Sequence, residues 1–206
     1  MLASGARAVL AFDEAGRGCL AGPVGVGAVL LMPPFGEPPA GLADSKLLSE
    51  AKRSALVEPV TQWATAHGVG LASAAEIDAL GILAALRLAA ERAVAQIGQL
   101  PERTVALVDG PYDWLRRPKV SPDSPGSVDV ADVWARSKAD RDCASVAAAS
   151  ILVKTSRDAL LEELEQRWPG YGFAAHKGYG TAAHRAAIRE LGACVEHRHS
   201  FRLLAD

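Results

Sequence analysis

Residues 8–18 constrain this chain more than any other stretch. Ala8-Val-Leu-Ala-Phe12 is a short apolar run with a β-branched member, the pattern of a buried strand. It leads directly into two carboxylates, Asp13 and Glu14, and a Gly16-Arg17-Gly18 turn. Acids at the end of a core strand are costly to desolvate unless a cation or a set of donors meets them. Arg17 could be that cation. The flanking glycines point elsewhere, to backbone cleared for close approach by something outside the chain. Gly16-x-Gly18-x-x-Ala21 also spells the dinucleotide-binding fingerprint. That reading fails because Gly22-Pro23 stand where a helix N-terminus is needed, and because two carboxylates before the turn would repel a pyrophosphate.

At 206 residues the chain is expected to form one domain, residues 1–206, with about 170–206 as a helical extension. Its cysteines, Cys19, Cys143 and Cys194, are odd in number, widely spaced and free of any C-x-x-C pair. That argues against a disulfide framework and a zinc knuckle and leads to the expectation of a reducing cytoplasm. The apolar stretch 24–32 is broken by Gly25 and Gly27 and stopped by Pro33-Pro34, so no membrane span is expected. A net charge of −2 gives no global nucleic-acid footprint; such a partner would need local basic clusters. Two are present: Arg116, Arg117 and Lys119, and a tail that gathers His197, Arg198, His199 and Arg202 around Phe201.

The remaining pattern alternates strands and helices. Val24–Met32 reads as a second strand paired with the first, followed by a Pro/Gly-rich loop to Gly41 and a loop holding Asp44-Ser45-Lys46. Ser49 caps a helix reaching toward Ala66 and disturbed at Pro59. Residues 67–73 have strand character, and one long helix is expected from about Ala75 to Ile97. Glu76 and Asp78 near its start suit the helix dipole and need no catalytic explanation. Thr104–Asp109 is again an apolar β-rich run that ends in acid. Residues 112–132 read as a long loop with one short strand near 128–130. A helix from about residue 138 to Trp168 carries small residues over 146–152, as close packing on a sheet requires. Asp140 or Asp142 at its start could be only a cap. A basic loop, His176-Lys-Gly-Tyr179-Gly-Thr181, precedes a short helix from Ala182 to Leu191 closed by Gly192. A glycine-flanked tyrosine among cations suits a sugar or a base.

Asp13, Glu14, Asp109 and either Asp140 or Asp142 thus fall at strand ends and a helix start. Four carboxylates at one sheet edge are what a pair of divalent cations in phosphoryl transfer requires. Several motifs in order carry a resemblance to a known family. They are Asp-Glu-Ala-Gly-Arg-Gly at 13–18 with Leu-Ala-Gly-Pro-Val at 20–24; Asp44-Ser45-Lys46; Asp109-Gly110; Lys138-x-Asp140 leading to Ala-Ala-Ala-Ser-Ile at 147–151 with Lys154; Lys177-Gly-Tyr-Gly-Thr181 with His184; and Arg198-His199-Ser200-Phe201. Over residues 8–202 the sequence resembles the bacterial type 2 ribonucleases H.

The resemblance implies an α/β ribonuclease H-like fold, a central mixed β-sheet flanked by helices with a C-terminal helical extension. It implies that Asp13, Glu14, Asp109 and Asp140 bind Mg²⁺ or Mn²⁺, with Asp140 preferred to Asp142 by motif register. Gly16, Arg17 and Gly18 would grip the ribonucleotide, with Tyr179 beside them at the junction to DNA. Lys46, Ser150, Lys154, Thr181 and His184 would contact phosphates. The implied activity is two-metal hydrolysis of the RNA strand in RNA/DNA hybrids and incision at single ribonucleotides in duplex DNA, leaving 3′-hydroxyl and 5′-phosphate ends. A non-catalytic hybrid-binding module on the same fold is the alternative. Nucleic acid is the expected partner and a monomer the expected state. The Arg-Leu-Leu-Ala-Asp that follows Phe201 gives no reading of a sliding-clamp partner. Three positions depart from the family pattern: Cys19 in place of the usual Pro, Ala139 in place of Gly, and Gly81 in place of Asn. Ala139 bears on the backbone before Asp140, since Ala tolerates positive φ badly.

Overall fold

The acid-tipped apolar run becomes the middle strand of a five-stranded sheet. In the computed structural model, which describes residues 5–111, 113–115 and 128–204, the strands are β1 (Ala8–Ala15), β2 (Val24–Leu31), β3 (Ala66–Ala72), β4 (Thr104–Asp109) and β5 (Asp132–Arg136). Their order is β3-β2-β1-β4-β5, with the first two pairings antiparallel and the last two parallel. The sheet is therefore mixed, and β1 sits where its two halves meet.

The helices are α1 (Glu50–Trp63), α2 (Ala74–Leu80), α3 (Ile82–Ile97), α4 (Ala139–Asp142), α5 (Ala144–Arg167), α6 (Phe173–His176) and α7 (Ala182–Leu191). Alternation along β1 assigns them to faces. Ala8, Leu10 and Phe12 point into the core under α3, while Ala11 points to the opposite side with Leu107, Ala139 and Val146. Both helices lie unusually close to the strands. A Cβ at Gly70 would stand 1.9 Å from the carbonyl oxygen of Ala89 in α3, and one at Gly27 would stand 2.3 Å from that of Ala149 in α5. Small residues over 146–152 answer those glycines from the helix side. Burial of both faces explains why β2 is apolar throughout rather than alternating.

Several expected boundaries move. The single helix from 75 to 97 is two, because Gly81 adopts φ +79° between α2 and α3, a conformation that ends one helix and begins the next. The start is a capping box: Ser73 Oγ accepts from Glu76 N at 3.2 Å, and Glu76 Oε2 accepts from Ser73 N at 2.8 Å. α1 runs through Pro59 and closes at Trp63, three residues before Ala66. The short strand expected near 128–130 forms at Asp132–Arg136 instead. Val128 and Val130 pack on the core as partly buried residues, and the strand pairing with β4 begins just beyond them. The helix from 138 breaks at Cys143, whose extended φ −131°, ψ 115° separates α4 from α5. The basic patch at Arg116, Arg117 and Lys119 lies outside the described residues.

Beyond α5 the chain packs back on its own helix. Tyr171, Phe173 and Cys194 bury against Leu161 and Leu164 of α5 and Ala21 of the loop after β1, and Ala21 bridges to His197. This segment places the Tyr179 loop beside the Gly16–Gly18 turn. Among the described residues no helix is long and apolar enough to cross a membrane.

Candidate active site

Three chain segments deliver the acids to one end of the sheet. β1 outruns its parallel partner: pairing with β4 ends at Phe12↔Val108, whereas pairing with β2 continues through Asp13↔Gly27, Glu14↔Val26 and Ala15↔Gly25. Asp13 and Glu14 can face the same pair of metals only if regular pleating ends between them. The ladder with β2 instead runs on through both residues, and what joins the two carboxyls is a shared electrostatic neighbourhood: Lys46 acts on both, Glu14 on Asp13, and Asp109 on Glu14.

Asp13 is only 4% exposed. A hydroxyl chain holds it from below: Ser45 and Ser150 are 2.7 Å apart, Oγ to Oγ, and Ser150 hydrogen-bonds Asp13. Burial pushes its carboxyl up to about 8, with Glu14 and Asp140 adding to the rise and Ser150 and Lys46 opposing it. Glu14 is raised as well, chiefly by burial, and Arg17 opposes the shift. The Arg17–Glu14 pair is 3.8 Å apart, and Glu14 Oε2 is buried with no hydrogen-bond partner.

Asp109, at the tip of β4, accepts a hydrogen bond from Ala139 N at 2.7 Å. That contact depends on Lys138, which adopts φ +64° and turns the chain from β5 into α4. The left-handed residue is thus Lys138, and Ala139 in place of Gly costs no strain. Asp140 is 5% exposed and receives Lys46 Nζ at 2.9 Å. Burial works against the Lys46 ammonium, but that hydrogen bond and the charges of Asp140, Asp13 and Asp44 outweigh it and hold the group above its usual range. Asp142 points to the surface, paired with Arg136 at 3.1 Å and Arg141 at 3.0 Å. Asp140, and not Asp142, faces Asp13.

Among the described residues no three His, Cys, Asp or Glu groups are closed into a ready metal cage. The acids are occupied by other partners: Asp140 by Lys46, Asp109 by the Ala139 amide and Glu14 by Arg17. The donor set nonetheless suits a hard divalent cation, because it is all carboxylate oxygen, with Asp13 and Asp140 buried and Glu14 Oε2 without a hydrogen-bond partner.

The other expected contacts divide. Arg17, Gly18, Tyr179 and Thr181 are exposed, Tyr179 to 45%. Thr181 Oγ1 already serves as the cap of α7, accepting from His184 N at 3.2 Å. Lys154 reaches Asp158 at 2.5 Å and keeps part of its surface open. Two expectations need correction. Ser150 is 2% exposed and its hydroxyl is committed to Ser45 and Asp13, so it supports the acid rather than a phosphate. His184 is fully buried. Its Nδ1 donates to Tyr179 O at 2.9 Å, and its Nε2 accepts from His197 Nε2 at 3.1 Å, whose Nδ1 accepts from Cys194 N at 3.0 Å. This proton arrangement links Tyr179 O, both imidazoles and Cys194 N in one direction with neutral rings. Burial lowers the His184 pKa to about 4, so the ring offers a phosphate neither charge nor access. Half of the expected basic tail cluster is likewise interior: His197 and Arg198 are fully buried, while His199 and Arg202 are exposed.

The ribonuclease HII family model matches residues 10–204. The chain belongs to the ribonuclease HII family. It is accordingly a ribonuclease H, a metal-dependent endonuclease acting on RNA/DNA hybrids. A ribonuclease HII of Thermus thermophilus is 45% identical over 198 residues, 96% of this chain and 88% of that one. That of a Synechococcus species is 46% identical over 195 residues, 94% and 90% of the two chains. Among solved structures, ribonuclease H2 of Pyrococcus horikoshii superimposes with a TM-score of 0.69 at 23% identity, covering 95% of this chain and 94% of that one. Bst-RNase HIII, solved in complex with Mn²⁺, gives 0.72 at 19%, covering 96% and 68%. At these identities the two structures speak for the fold.

Sequence reasoning missed several residues that shape the site. Asp78, assigned to the helix dipole, accepts from His199 N at 2.8 Å, Ser200 N at 2.9 Å and Ser200 Oγ at 2.5 Å, and so anchors the tail. Ser45 completes the support under Asp13. Arg157 and Arg198 are buried against the Gly16–Pro23 loop. A charged residue in the otherwise small and apolar face of α5 was the available signal for Arg157.

Proposed function

We propose that Asp13, Glu14, Asp109 and Asp140 together hold two divalent cations, Mg²⁺ or Mn²⁺, and that the chain incises duplex DNA at single ribonucleotides as well as cutting longer RNA/DNA hybrids. The observation that carries the reading is the 4%-exposed Asp13, braced by Ser150 and set with Asp140 around Lys46. A buried acid cluster with too little positive charge is unstable by itself and favours a divalent partner. When bound, such cations supply Lewis acidity for in-line attack of water at phosphorus and for departure of the 3′ oxygen. The products are then a 3′-hydroxyl and a 5′-phosphate.

The chain's own residues do the positioning. Ser150 and the Ala139 amide orient the carboxylates of Asp13 and Asp109. Lys46, whose side chain is 69% exposed, carries an ammonium at the mouth of the cluster, where a substrate phosphate can replace Asp140 as its partner. Lys154 and Thr181 would add backbone contacts, which position a duplex without reading sequence. The Gly16–Gly18 turn follows the acids directly, so the nucleotide beside the scissile phosphate falls against it. Small residues there let main-chain groups reach a 2′-hydroxyl, and the exposed Tyr179 ring offers a stacking face at the next nucleotide. The non-catalytic alternative finds no support, since all four acids are present.

The test is cleavage of duplexes carrying zero, one or four ribonucleotides, in Mg²⁺ and in Mn²⁺. Wild-type protein should cut the second and third and spare the first. Asp13→Asn should reduce cleavage at least a thousandfold while hybrid affinity changes less than fivefold. Near wild-type cleavage by that variant would refute the assignment of Asp13 as a ligand.

A further inference from the structure

Among the described residues the two largest fully buried side chains are arginines, Arg157 at 1% and Arg198 at 0% exposure. Each donates three hydrogen bonds to main-chain carbonyls. Arg198 reaches Gly16 O at 2.7 Å, Arg17 O at 3.0 Å and Gly22 O at 3.0 Å. Arg157 reaches Pro23 O at 2.9 Å, Ala21 O at 3.2 Å and, across to the next loop, Lys177 O at 2.9 Å. Gly16 packs so tightly on Arg157 that a Cβ there would lie 2.1 Å from Nε.

The consequence is directional. In a trans peptide unit the C=O and N–H groups point to opposite sides. Holding the carbonyls of Gly16 and Arg17 inward on Arg198 therefore sends the N–H groups of Arg17 and Gly18 to the outer side, where both residues are exposed. We propose that Arg198 is the positioning residue for ribose recognition, aiming the Arg17 and Gly18 amides at the 2′-oxygen, while Arg157 sets the separation between that turn and Tyr179. The inference rests on the reading of Gly16–Gly18 as the sugar-facing turn.

Three features favour this role over a simple structural tie. Apolar packing would fill the space at lower free-energy cost, since a buried cation is costly to desolvate. The planar guanidinium fork matches two successive carbonyls, which an ammonium cannot. Donation into those carbonyls also polarises the peptide units and strengthens the outward amides as donors. Arg198 is itself held from behind. Its own amide donates to Leu20 O at 2.8 Å, the Phe201 ring centroid lies 5.2 Å from its guanidinium carbon, and Asp78 pins the next two residues. The Tyr179 side is closed by Leu20 N donating to Gly178 O at 2.8 Å.

The test compares full-length wild type with Arg198→Lys. Binding to an all-DNA duplex and to the same duplex with one ribonucleotide is measured in Ca²⁺, Mn²⁺ affinity by calorimetry, and single-turnover cleavage in Mg²⁺. Two amide contacts correspond to a wild-type preference of about tenfold for the ribonucleotide. In Arg198→Lys that preference should fall below threefold, while all-DNA affinity and Mn²⁺ affinity change less than twofold. Should Arg198→Lys fail to fold, Phe201→Ala, which loosens the guanidinium without removing it, should lower the preference about threefold. A preference kept intact in the variants would overturn the inference, as would parallel loss of all-DNA and Mn²⁺ binding. Equal wild-type affinity for the two duplexes would overturn the sugar-facing reading, and the inference with it.

Discussion

Acidification should unlock the Tyr179 loop through one ring, His184. Its Nδ1 donates to Tyr179 O and its Nε2 accepts from His197, so a further proton would set N–H against N–H across 3.1 Å. The other neighbours make matters worse. His176 stacks on the ring with centroids 4.1 Å apart, and Arg185 and a protonated His197 add like charge. Burial first, and these charges after it, lower the His184 pKa from 6.5 to about 4, against the pull of the Tyr179 carbonyl. The folded pKa is the lower one, so between these values the unfolded chain binds more protons and stability rises with pH. The contribution is complete above pH 6.5 and is lost as pH falls toward 4. At about 1.4 kcal/mol for each tenfold change in proton affinity, it amounts to roughly 3 kcal/mol. His197 is lowered by burial as well and acts in the same direction. Asp13, raised to about 8, adds a pH dependence of the opposite sign, so the readout is the difference between wild type and His184→Gln, which keeps a donor for Tyr179 O but cannot titrate. Urea unfolding of both at pH 7.5, 6.0, 5.0 and 4.5, followed by tryptophan fluorescence, should show wild type losing stability relative to the variant as pH falls. An equal slope in the two proteins would refute the reasoning.

Three further outcomes are expected. Gly70→Ala puts a Cβ 1.9 Å from Ala89 O and 2.6 Å from Ala93 N, so α3 must retreat from β3; a cost of about 3 kcal/mol should lower the melting temperature by roughly 6 °C or more, and a drop under 2 °C would mean the helix slides freely. Lys46→Met removes the ammonium that competes for Asp140, and Mn²⁺ should then bind about fivefold tighter by calorimetry, whereas weaker binding would make Lys46 a support of the metal site. Glu76, held down to about 2 by its hydrogen bonds with Arg92, contributes stability present above pH 4.5 and lost as pH falls toward 2; since the pair is partly exposed, Glu76→Gln should cost about 1 kcal/mol at pH 7 and nothing near pH 2, as measured by thermal melts.

The sequence by itself determined which segments could carry chemistry. Apolar runs ending in Asp13-Glu14 and Asp109 announce buried strands with acids at their tips, because a strand pattern and a desolvated carboxylate are both local properties. Caps are local too, and Ser49, Ser73 and Gly192 close their helices as their types require. What only the tertiary structure decided was which partner each polar group meets. His184 and Lys46 are similar as letters, yet one is sealed inside a histidine chain and the other stands at the mouth of the acids. Arg198 looks like part of a basic tail until the fold turns it inward onto Gly16 and Arg17, 182 and 181 residues away along the chain. β1 carries its acids past the end of its pairing with β4, a stagger between strands that no local pattern in either one announces. Desolvation, and the pairing it forces on a buried group, depends on everything that packs around that group. A residue's type sets only what it is able to donate or accept.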